Sequence, residues 1–400
     1  MHSYHISPRW KCQPHRLEFR RRPAKSGTMR RMAAPLRLLF VLEYYAPHIG
    51  GAERLFQSVA ERLAAGGHRV TVLTRRLPGT AAREEMSGVR VVRASVPPPR
   101  RLWFTFGLFP LICRLARDAD LIHASTYAGT FSAAVAGWLT QTPVVLTVHE
   151  LWMDLWRRVP FVPFWQRWTG PLQERLLIQL PYRAFVAVSD ATRRSLEHYF
   201  AGLHPIYVVP AAVDVPADLH WPGNPMEGAR SFVYFGRPGH WRGLDVLLRG
   251  FALFLRGGGE ARLDLILSRE PRREYGAVLG LRRKLGLDDR VRVLDSMPRE
   301  ALLAHLLSSD AAVFPSLSEG FGLAAGEACA LGIPVLASTA GSLPEVVSGR
   351  HRLFPSGDAR ALADALGEAA RGKWDWSEPK TFAVEETCAR LCEIYRRIRA

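Results

Sequence analysis

Short apolar runs alternate with amphipathic, helix-like segments along the chain from Leu36 onward. The predicted strands of this first series are LRLLFVL (36–42), HRVTVLT (68–74), VRVVRA (89–94), DLIHAS (120–125), PVVLTVHE (143–150), FVAVSD (185–190) and IYVVP (206–210). Several of these runs are almost continuously apolar, which is typical of strands that helices cover on both faces. The pattern therefore predicts an α/β fold with a mainly parallel sheet.

The stretch 216–229 is rich in proline and glycine, lacks periodicity and predicts a linker. A second series follows it, with predicted strands SFVYFG (231–236), RLDLILS (262–268), RVRVLDS (290–296), AAVFPS (311–316) and PVLAS (334–338). A chain of 400 residues with 48% hydrophobic composition also exceeds what one core usually serves. We therefore predict two doubly wound, Rossmann-like domains, 36–215 and 230–380, which face a central cleft, and a final helix over 381–400.

The formal net charge of +17 is unevenly distributed. Residues 1–35 hold nine Lys or Arg against one acid, Glu18. We predict that they are a basic, disordered extension, or that the native start is Met29 or Met32. The remaining positive charge is spread along the chain without a recognisable nucleic-acid-binding module, so we expect no nucleic acid partner. An anionic membrane surface or a phosphorylated acceptor fits this charge better.

The sequence contains neither the roughly 18 consecutive apolar residues of a membrane span nor the apolar core of a secretory signal. Its five cysteines, Cys12, Cys113, Cys329, Cys388 and Cys392, show no framework spacing. Cys388 and Cys392 lie one helical turn apart, but no His or Cys cluster accompanies them, which disfavours a metal site. We expect reduced thiols and a cytoplasmic protein, at most peripheral at the inner face of the cell membrane.

Two glutamates, Glu319 and Glu327, carry the strongest chemical signal. The segment SEGFGLAAGE (318–327) follows an apolar run and opens a helix of small residues, so both carboxylates can face one crevice at the carboxyl end of a strand. Gly320 and Gly322 allow a ligand to approach the backbone, and the helix start offers free N–H groups to an anion. On spacing alone, two such glutamates are usually a solvated helix end, and only the context of the segment favours a ligand site.

With Gly-Phe-Gly between its glutamates, this segment resembles the donor site of family-4 retaining glycosyltransferases of the GT-B fold. The resemblance implies a metal-independent enzyme that moves a sugar from a nucleoside diphosphate to an acceptor hydroxyl, with the nucleotide sugar as substrate and no cofactor. It assigns Glu319 to the sugar ring and Glu327 to the ribose. The donor-binding set that it implies is Gly50, Gly51, Arg237, Arg242, Glu319, Gly320, Phe321, Gly322, Leu323 and Glu327.

Two first-domain segments match the same family in the expected order. In YYAPHIGGAERL (44–55), Gly50 and Gly51 predict a turn at a helix start that can hold a phosphate, although an ordinary tight turn has the same pattern. VLTVHE (145–150) places His149 at the end of a predicted strand. The resemblance implies that His149 reaches the donor sugar in catalysis. The family usually has Asp where this chain has Glu150.

In FGRPGHWRGLDVLL (235–248), Arg237 and Arg242 flank the loop after the first strand of the second domain, where the family has Arg and usually Lys against the diphosphate. Two fixed cations can balance the phosphate charge that grows as the sugar leaves, so both arginines join Glu319 and His149 as predicted catalytic residues. The D-x-D match, Asp118-Ala119-Asp120, lies between a predicted helix and strand, where we predict a structural role rather than a metal site.

The resemblance extends further along the chain, and it also has departures. The segments 334–347, with a tight loop around Gly341, and 351–366 match the family's closing elements. Similar proteins pack the final helix back onto the first domain. Where relatives often have Pro-Asn-Gly, this chain has Pro210-Ala211-Ala212, and Ser268-Arg269-Glu270-Pro271 departs near the expected nucleotide pocket. The second departure leaves the preference for a nucleotide base open.

Acceptors in this fold are met mainly by the first domain, where 100–117 and 151–168 mix arginine with many aromatic residues. Such mixtures are typical of segments at a membrane interface, and equally of pieces that fill a core or an acceptor pocket. The predicted partners are a nucleotide-sugar donor and an acceptor glycan or lipid-linked saccharide, with an anionic membrane surface as a further candidate. The alternatives are a GT-B epimerase or phosphorylase, and a non-catalytic GT-B scaffold.

Overall fold

The computed structural model describes residues 34–48, 50–98, 103–158, 163–223 and 228–399. The predictions for the basic extension and for Cys12 therefore lie outside the described residues, apart from the last two positions of the extension. Residues 224–227 of the predicted linker also lie outside, as do 100–102 and 159–162 of the two aromatic segments.

The first half of the described chain forms one sheet and the helices that cover it. The strands are β1 Arg37–Val41, β2 Arg69–Arg75, β3 Arg83–Met86, β4 Val89–Ala94, β5 Leu121–Ser125, β6 Val144–Val148, β7 Ala184–Ala187 and β8 Ile206–Val208. The helices are α1 Gly51–Ala65, α2 Phe109–Ala116, α3 Thr130–Thr140, α4 Leu155–Arg158, α5 Phe164–Ile178 and α6 Asp190–Phe200, with a π-helical turn at Trp103–Gly107. The strand order is β3-β4-β2-β1-β5-β6-β7-β8.

The second half forms a similar sheet. Its strands are β9 Ser231–Gly236, β10 Arg262–Leu267, β11 Val291–Asp295, β12 Ala311–Phe314, β13 Val335–Ser338, β14 Gly349–Phe354 and β15 Asp375–Ser377, in the order β11-β10-β9-β12-β13-β14-β15. The helices are α7 Leu244–Arg256, α8 Arg272–Lys284, α9 Arg299–Leu307, α10 Leu323–Ala330, α11 Leu343–Val346, α12 Ala359–Ala370 and α13 Val384–Arg399, with a 3₁₀ turn at His240–Arg242.

The predicted α/β class with two doubly wound sheets is confirmed, and the predicted strands form with shifts at their ends. The strand predicted over 185–190 stops at Ala187, because Ser189 caps α6: its hydroxyl accepts a 3.0 Å hydrogen bond from the amide of Thr192. Strands β3 and β15 were missed. Both are antiparallel strands at the sheet edges, and their polar sequences lack the apolar run that identified the others.

Buried apolar side chains cover both faces of the first sheet. One face packs against α1 and, through Leu391, Ile394 and Tyr395, against α13. The chain therefore returns from the second sheet to the first at its end. Cys388 and Cys392 lie on the packed side of α13, where burial raises the pKa of both thiols. Their buried position gives them a packing role in this helix.

Candidate active site

The predicted donor residues lie at the carboxyl ends of the neighbouring strands β9 and β12 in the second sheet. The order of the strands reverses at this pair, and a crevice forms at such a point in open α/β sheets. Arg237 follows β9 directly, and Glu319 lies on the loop between β12 and α10. The segments 235–248 and 318–327, which both resemble parts of the family's donor site, are thus adjacent in space.

Arg242 and Glu319 contact each other directly. A guanidinium nitrogen of Arg242 donates a hydrogen bond to Glu319 Oε2, and the hydroxyl of Ser316 donates to the same oxygen at 3.1 Å. Burial alone would lower the pKa of Arg242, but the adjacent carboxylate of Glu319 outweighs burial and the pKa is raised. Arg242 therefore keeps its positive charge inside the crevice.

The backbone around Arg242 leaves no room for a side chain on its neighbour. Gly243 has φ +65°, and a Cβ there would lie 1.9 Å from the carbonyl oxygen of Pro315. The amide of Leu317 donates a 2.7 Å hydrogen bond to the carbonyl oxygen of Trp241. The 3₁₀ turn is thus fixed against the loop after β12, which orients Arg242 toward Glu319.

Two more glycines fix the backbone of Glu319. A Cβ on Gly341, which has φ +51°, would lie 2.1 Å from the carbonyl oxygen of Glu319. A Cβ on Gly320 would lie 1.9 Å from the carbonyl oxygen of His149, which belongs to the first sheet's side of the crevice. Gly322 has φ +88° and precedes the first residue of α10, Leu323. The glycines therefore allow three backbone segments to meet at Glu319.

His149 and Glu150 lie just past β6, which ends at Val148 and not at residue 150 as predicted. The hydroxyl of Ser125 and Nε2 of His149 are 3.0 Å apart, and the ring of Phe56 packs edge-on against the imidazole. Burial lowers the pKa of His149 to about 4, so the imidazole is neutral at pH 7. A neutral imidazole can hydrogen-bond a sugar hydroxyl but adds no charge to the crevice.

Glu150 faces the second domain. Its carboxylate accepts a hydrogen bond from the hydroxyl of Ser318, one residue before Glu319. Burial raises its pKa, the hydrogen bond from Ser318 opposes that rise, and the charge of Glu319 adds to it. The position where the family usually has Asp thus still places a carboxyl group in the crevice.

Hydrogen bonds join the two sides near Gly320. The hydroxyl of Ser189 donates a 2.6 Å bond to the carbonyl oxygen of Gly320, and the hydroxyl of Thr192 lies 3.3 Å from the same oxygen. Phe321 is buried and its ring contacts that of Phe382 edge-on. The side chain of Phe321 is therefore packed in the interior, and its role in donor binding stays a prediction.

The glycine turn before α1 lies opposite the donor residues. A Cβ on Gly50 would lie 2.6 Å from a guanidinium nitrogen of Arg237, and a Cβ on Gly51 would lie 2.9 Å from Leu323. Arg237 also pairs with Glu53 of α1, at 3.6 Å. The turn predicted to hold a phosphate is thus brought to the same crevice as the two arginines.

Glu327 lies on α10 with its carboxylate between two arginines. Arg299 of α9 donates a 2.8 Å hydrogen bond to Oε2, and Arg54 of α1 lies 4.0 Å from Oε1. Arg299 also donates a 2.9 Å bond to the carbonyl oxygen of Asp214. Glu327 does not contact Glu319; instead, it joins α10 to α1 and to the chain between the two sheets.

Sequence analysis missed Glu174, the buried carboxylate that shapes the first-domain side. It accepts hydrogen bonds from the amides of Trp152 and Met153 at 2.8 and 2.6 Å, from the indole of Trp156 at 3.2 Å and from the hydroxyl of Tyr127 at 2.5 Å. These donors fix the loop that follows His149 and Glu150. No local motif marks Glu174, because its four partners come together only in the fold.

The loop fixed by Glu174 also reaches the second domain. Trp152 and Trp241 lie with ring centroids 4.8 Å apart, at an angle of 60°. Trp241 is the residue before Arg242 in the 3₁₀ turn. Aromatic contact thus couples the first-domain loop to the turn that carries the predicted diphosphate ligand.

The D-x-D match lies at the amino end of β5, whereas His149 and Glu150 follow the carboxyl end of the neighbouring strand β6. Asp120 precedes β5, and its carboxylate accepts hydrogen bonds from the amide and the guanidinium of Arg37, at 2.8 and 2.9 Å. These contacts give Asp120 the structural role that its position predicted. Across the ranges that the structure describes, no group of three or more His, Cys, Asp or Glu side chains has the arrangement of a metal site.

Comparison with solved structures identifies this fold. Sucrose-phosphate synthase from Thermosynechococcus elongatus superposes with a TM-score of 0.72 at 21% identity, covering 90% of this chain and 99% of that protein. Anabaena HepE in complex with UDP-glucose superposes with a TM-score of 0.68 at 19% identity, covering 90% of this chain and all of that protein. The fold is therefore GT-B, the two-domain fold of many glycosyltransferases.

Sequence profiles give the family. The profile of Glycosyltransferase Family 4 matches residues 49–216, and that of Glycosyl transferases group 1 matches residues 229–371. The D-inositol 3-phosphate glycosyltransferase of Nocardiopsis dassonvillei is 28% identical over 93% of this chain and 96% of its own. The MMP alpha-(1->4)-mannosyltransferase of Mycolicibacterium hassiacum is 32% identical over 62% of this chain and 61% of its own. This chain belongs to the family-4 glycosyltransferases, as its resemblance indicated.

Proposed function

We propose that this glycosyltransferase is a retaining, metal-independent enzyme that transfers a sugar from a nucleoside diphosphate to an acceptor hydroxyl. The observation that carries the proposal is the meeting of Arg242, Glu319 and His149 in one crevice between the two sheets. Arg242 is half-buried, charged and fixed by Glu319, so it can stabilise a leaving diphosphate without rearrangement. Arg237, beside the glycine turn, supplies a second cation.

In the proposed reaction, the bond between the anomeric carbon and the diphosphate oxygen breaks as the acceptor oxygen bonds to the same face of the sugar. The acceptor proton passes to the leaving phosphate oxygen, and no protein nucleophile takes part. Two arginines can balance the negative charge that develops, which is the task a metal ion performs in other transferases. His149, neutral at pH 7, orients a sugar hydroxyl.

The proposed acceptor carries a phosphate group, either on a polyol or on a lipid-linked saccharide. The names of the relatives support the first form, since one of them is named for an inositol phosphate. The net charge of +17 supports both forms, because a positive surface attracts phosphorylated molecules. UDP-glucose in the complex of Anabaena HepE supports a nucleoside diphosphate sugar as donor.

A binding experiment tests the donor site. In buffer with excess EDTA, one member of a panel of UDP-, GDP- and ADP-sugars should raise the melting temperature of the protein, and Glu327→Ala should weaken its binding about ten- to a hundredfold through loss of a charged hydrogen bond. Glu368→Ala is the control, because Glu368 pairs with Arg352 at the surface and not in the crevice. Binding that requires added magnesium or manganese would reject metal independence, and equal binding by Glu327→Ala would reject the donor site.

A further inference from the structure

Helix α5 exposes its large apolar side chains and buries small or polar ones. The buried residues of this helix are Gly170, Glu174 and Ile178. Phe164, Trp165, Trp168, Leu172 and Leu176 are instead between 58% and 74% exposed. The ordinary amphipathic pattern of a surface helix is therefore reversed. In the described part of the chain, none of these five side chains belongs to a hydrophobic core cluster.

The five exposed side chains form an apolar stripe. Phe164, Trp168, Leu172 and Leu176 follow one another at intervals of one helical turn, and Trp165 lies beside them. The stripe runs almost the whole length of α5, and the buried Glu174 lies on the other side of the helix. A continuous exposed apolar surface of this kind marks an interaction site.

The segment that carries the apolar stripe has a net positive charge. From residue 155 to residue 189 the single acid is Glu174, which is buried, whereas the same segment contains five arginines. The guanidinium of Arg157 lies 4.9 Å from the ring centroid of Trp168, so at least one cation is held against the stripe itself. The charge is complementary to an anionic surface.

Other exposed aromatic side chains lie on the same face of the first sheet. The buried Phe104, Ile112 and Ile178 share one core cluster, which places the π-helical turn, α2 and α5 on one face. On that face Trp103 and Phe106 are about half exposed. The segment 87–117, which contains them, has no acidic residue. Apolar and basic character thus extends beyond α5.

We propose that the apolar stripe of α5 docks this protein onto an anionic lipid bilayer. Aromatic and leucine side chains would enter the headgroup region while the neighbouring arginines meet lipid phosphates. A second copy of this chain fits less well, because a symmetric contact would bring together two segments that each carry a net positive charge. Vesicle binding needs neither donor nor catalysis, so this proposal stands or fails apart from the function proposed above.

Vesicle flotation with the full chain tests the proposal. Wild-type protein should float with vesicles of phosphatidylcholine and phosphatidylglycerol more than with phosphatidylcholine alone, and salt should weaken the binding. Replacing Trp165, Trp168, Leu172 and Leu176 with Gln should lower the partition coefficient about tenfold or more. The control is Trp376→Gln, which removes an exposed tryptophan from β15 of the second sheet and should leave flotation unchanged. Equal flotation of the stripe variant and the wild type would overturn the proposal.

Fluorescence quenching by brominated lipids gives a second measurement that does not depend on a multiple polar substitution. Quenching by vesicles that contain brominated chains should be strong for the wild type and clearly reduced in Trp165→Phe/Trp168→Phe, which keeps the stripe apolar. Quenching that is the same in both proteins would show that these side chains do not enter the bilayer. A stripe-dependent dimer in light scattering, without stripe-dependent vesicle binding, would assign the surface to a second copy instead.

Discussion

The two walls of the crevice are built in different ways. The second-domain wall consists of closely packed backbone, in which Gly243 and Gly341 let the chain approach within van der Waals distance of Pro315 and Glu319. The first-domain wall is a loop whose shape depends on one buried carboxylate, Glu174, and its hydrogen-bond donors. Closely packed backbone tolerates few substitutions. A loop held by side chains can vary in sequence, and with it the acceptor that it would bind can vary.

The largest expected effect is on the second-domain wall. Replacing Arg242 with Ala should lower kcat about a hundred- to a thousandfold, because the variant loses a fixed charge at the leaving group and leaves the buried Glu319 unpaired. Steady-state kinetics of transfer measure this. Arg292→Ala is the matched control, because Arg292 pairs with Asp264 away from the crevice and its loss should affect melting temperature more than kcat. A variant of Arg242 with near wild-type kcat would remove it from the mechanism.

A smaller but still large effect is expected where the walls meet. Gly320→Ala should lower kcat/KM about tenfold or more, since its Cβ would lie 1.9 Å from the backbone of His149 and must push the two walls apart. Gly276→Ala in α8 is the control, because no atom lies within 4 Å of its added Cβ. It should keep full activity and gain slightly in melting temperature. Equal activity of the two variants would mean that the walls need not meet this closely.

The first-domain wall should respond most weakly and in a different parameter. In Glu174→Gln, an NH2 group replaces one carboxylate oxygen and faces the N–H groups that had donated hydrogen bonds to that oxygen. The loop after His149 should therefore loosen, and KM for the acceptor substrate should rise about threefold to tenfold. The dissociation constant of the donor should change less, because Arg242 is held by Glu319 and by the loop after β12. Glu197→Gln, on the exposed side of α6, is the control. A weakened donor site in Glu174→Gln would show that the two walls are not separable.

The same comparison explains which parts of the structure could be predicted from the sequence. The buried strands and the glycine-rich segment 318–327 of the second-domain wall were predictable, because apolar runs and glycine-rich turns are local patterns with few physical solutions. The edge strands β3 and β15 were not, because their polar sequences carry no periodic signal. Glu174 and the contact between Trp152 and Trp241 were not either, because each joins residues that lie far apart in the chain.

For individual side chains too, the sequence predicts the segment but not the contacts that the fold creates. Arg242 and Glu319 were both predicted to contact the nucleotide-sugar donor. The fold adds that they pair directly with each other. Phe321 was predicted to bind the donor, and the fold adds that its side chain is buried against Phe382. Motif position predicts which segment reaches a site, and packing decides which atoms of that segment do.

The stereochemistry of donor hydrolysis tests the central claim most directly, because it needs no acceptor. The nucleotide sugar that stabilises the protein should be incubated with it in EDTA, and the released sugar followed by proton NMR before it equilibrates. We predict that the first free sugar has the anomeric configuration of the donor and that Arg242→Ala releases far less of it. Initial release of the opposite anomer, or equal release by Arg242→Ala, would contradict a retaining mechanism that depends on this crevice.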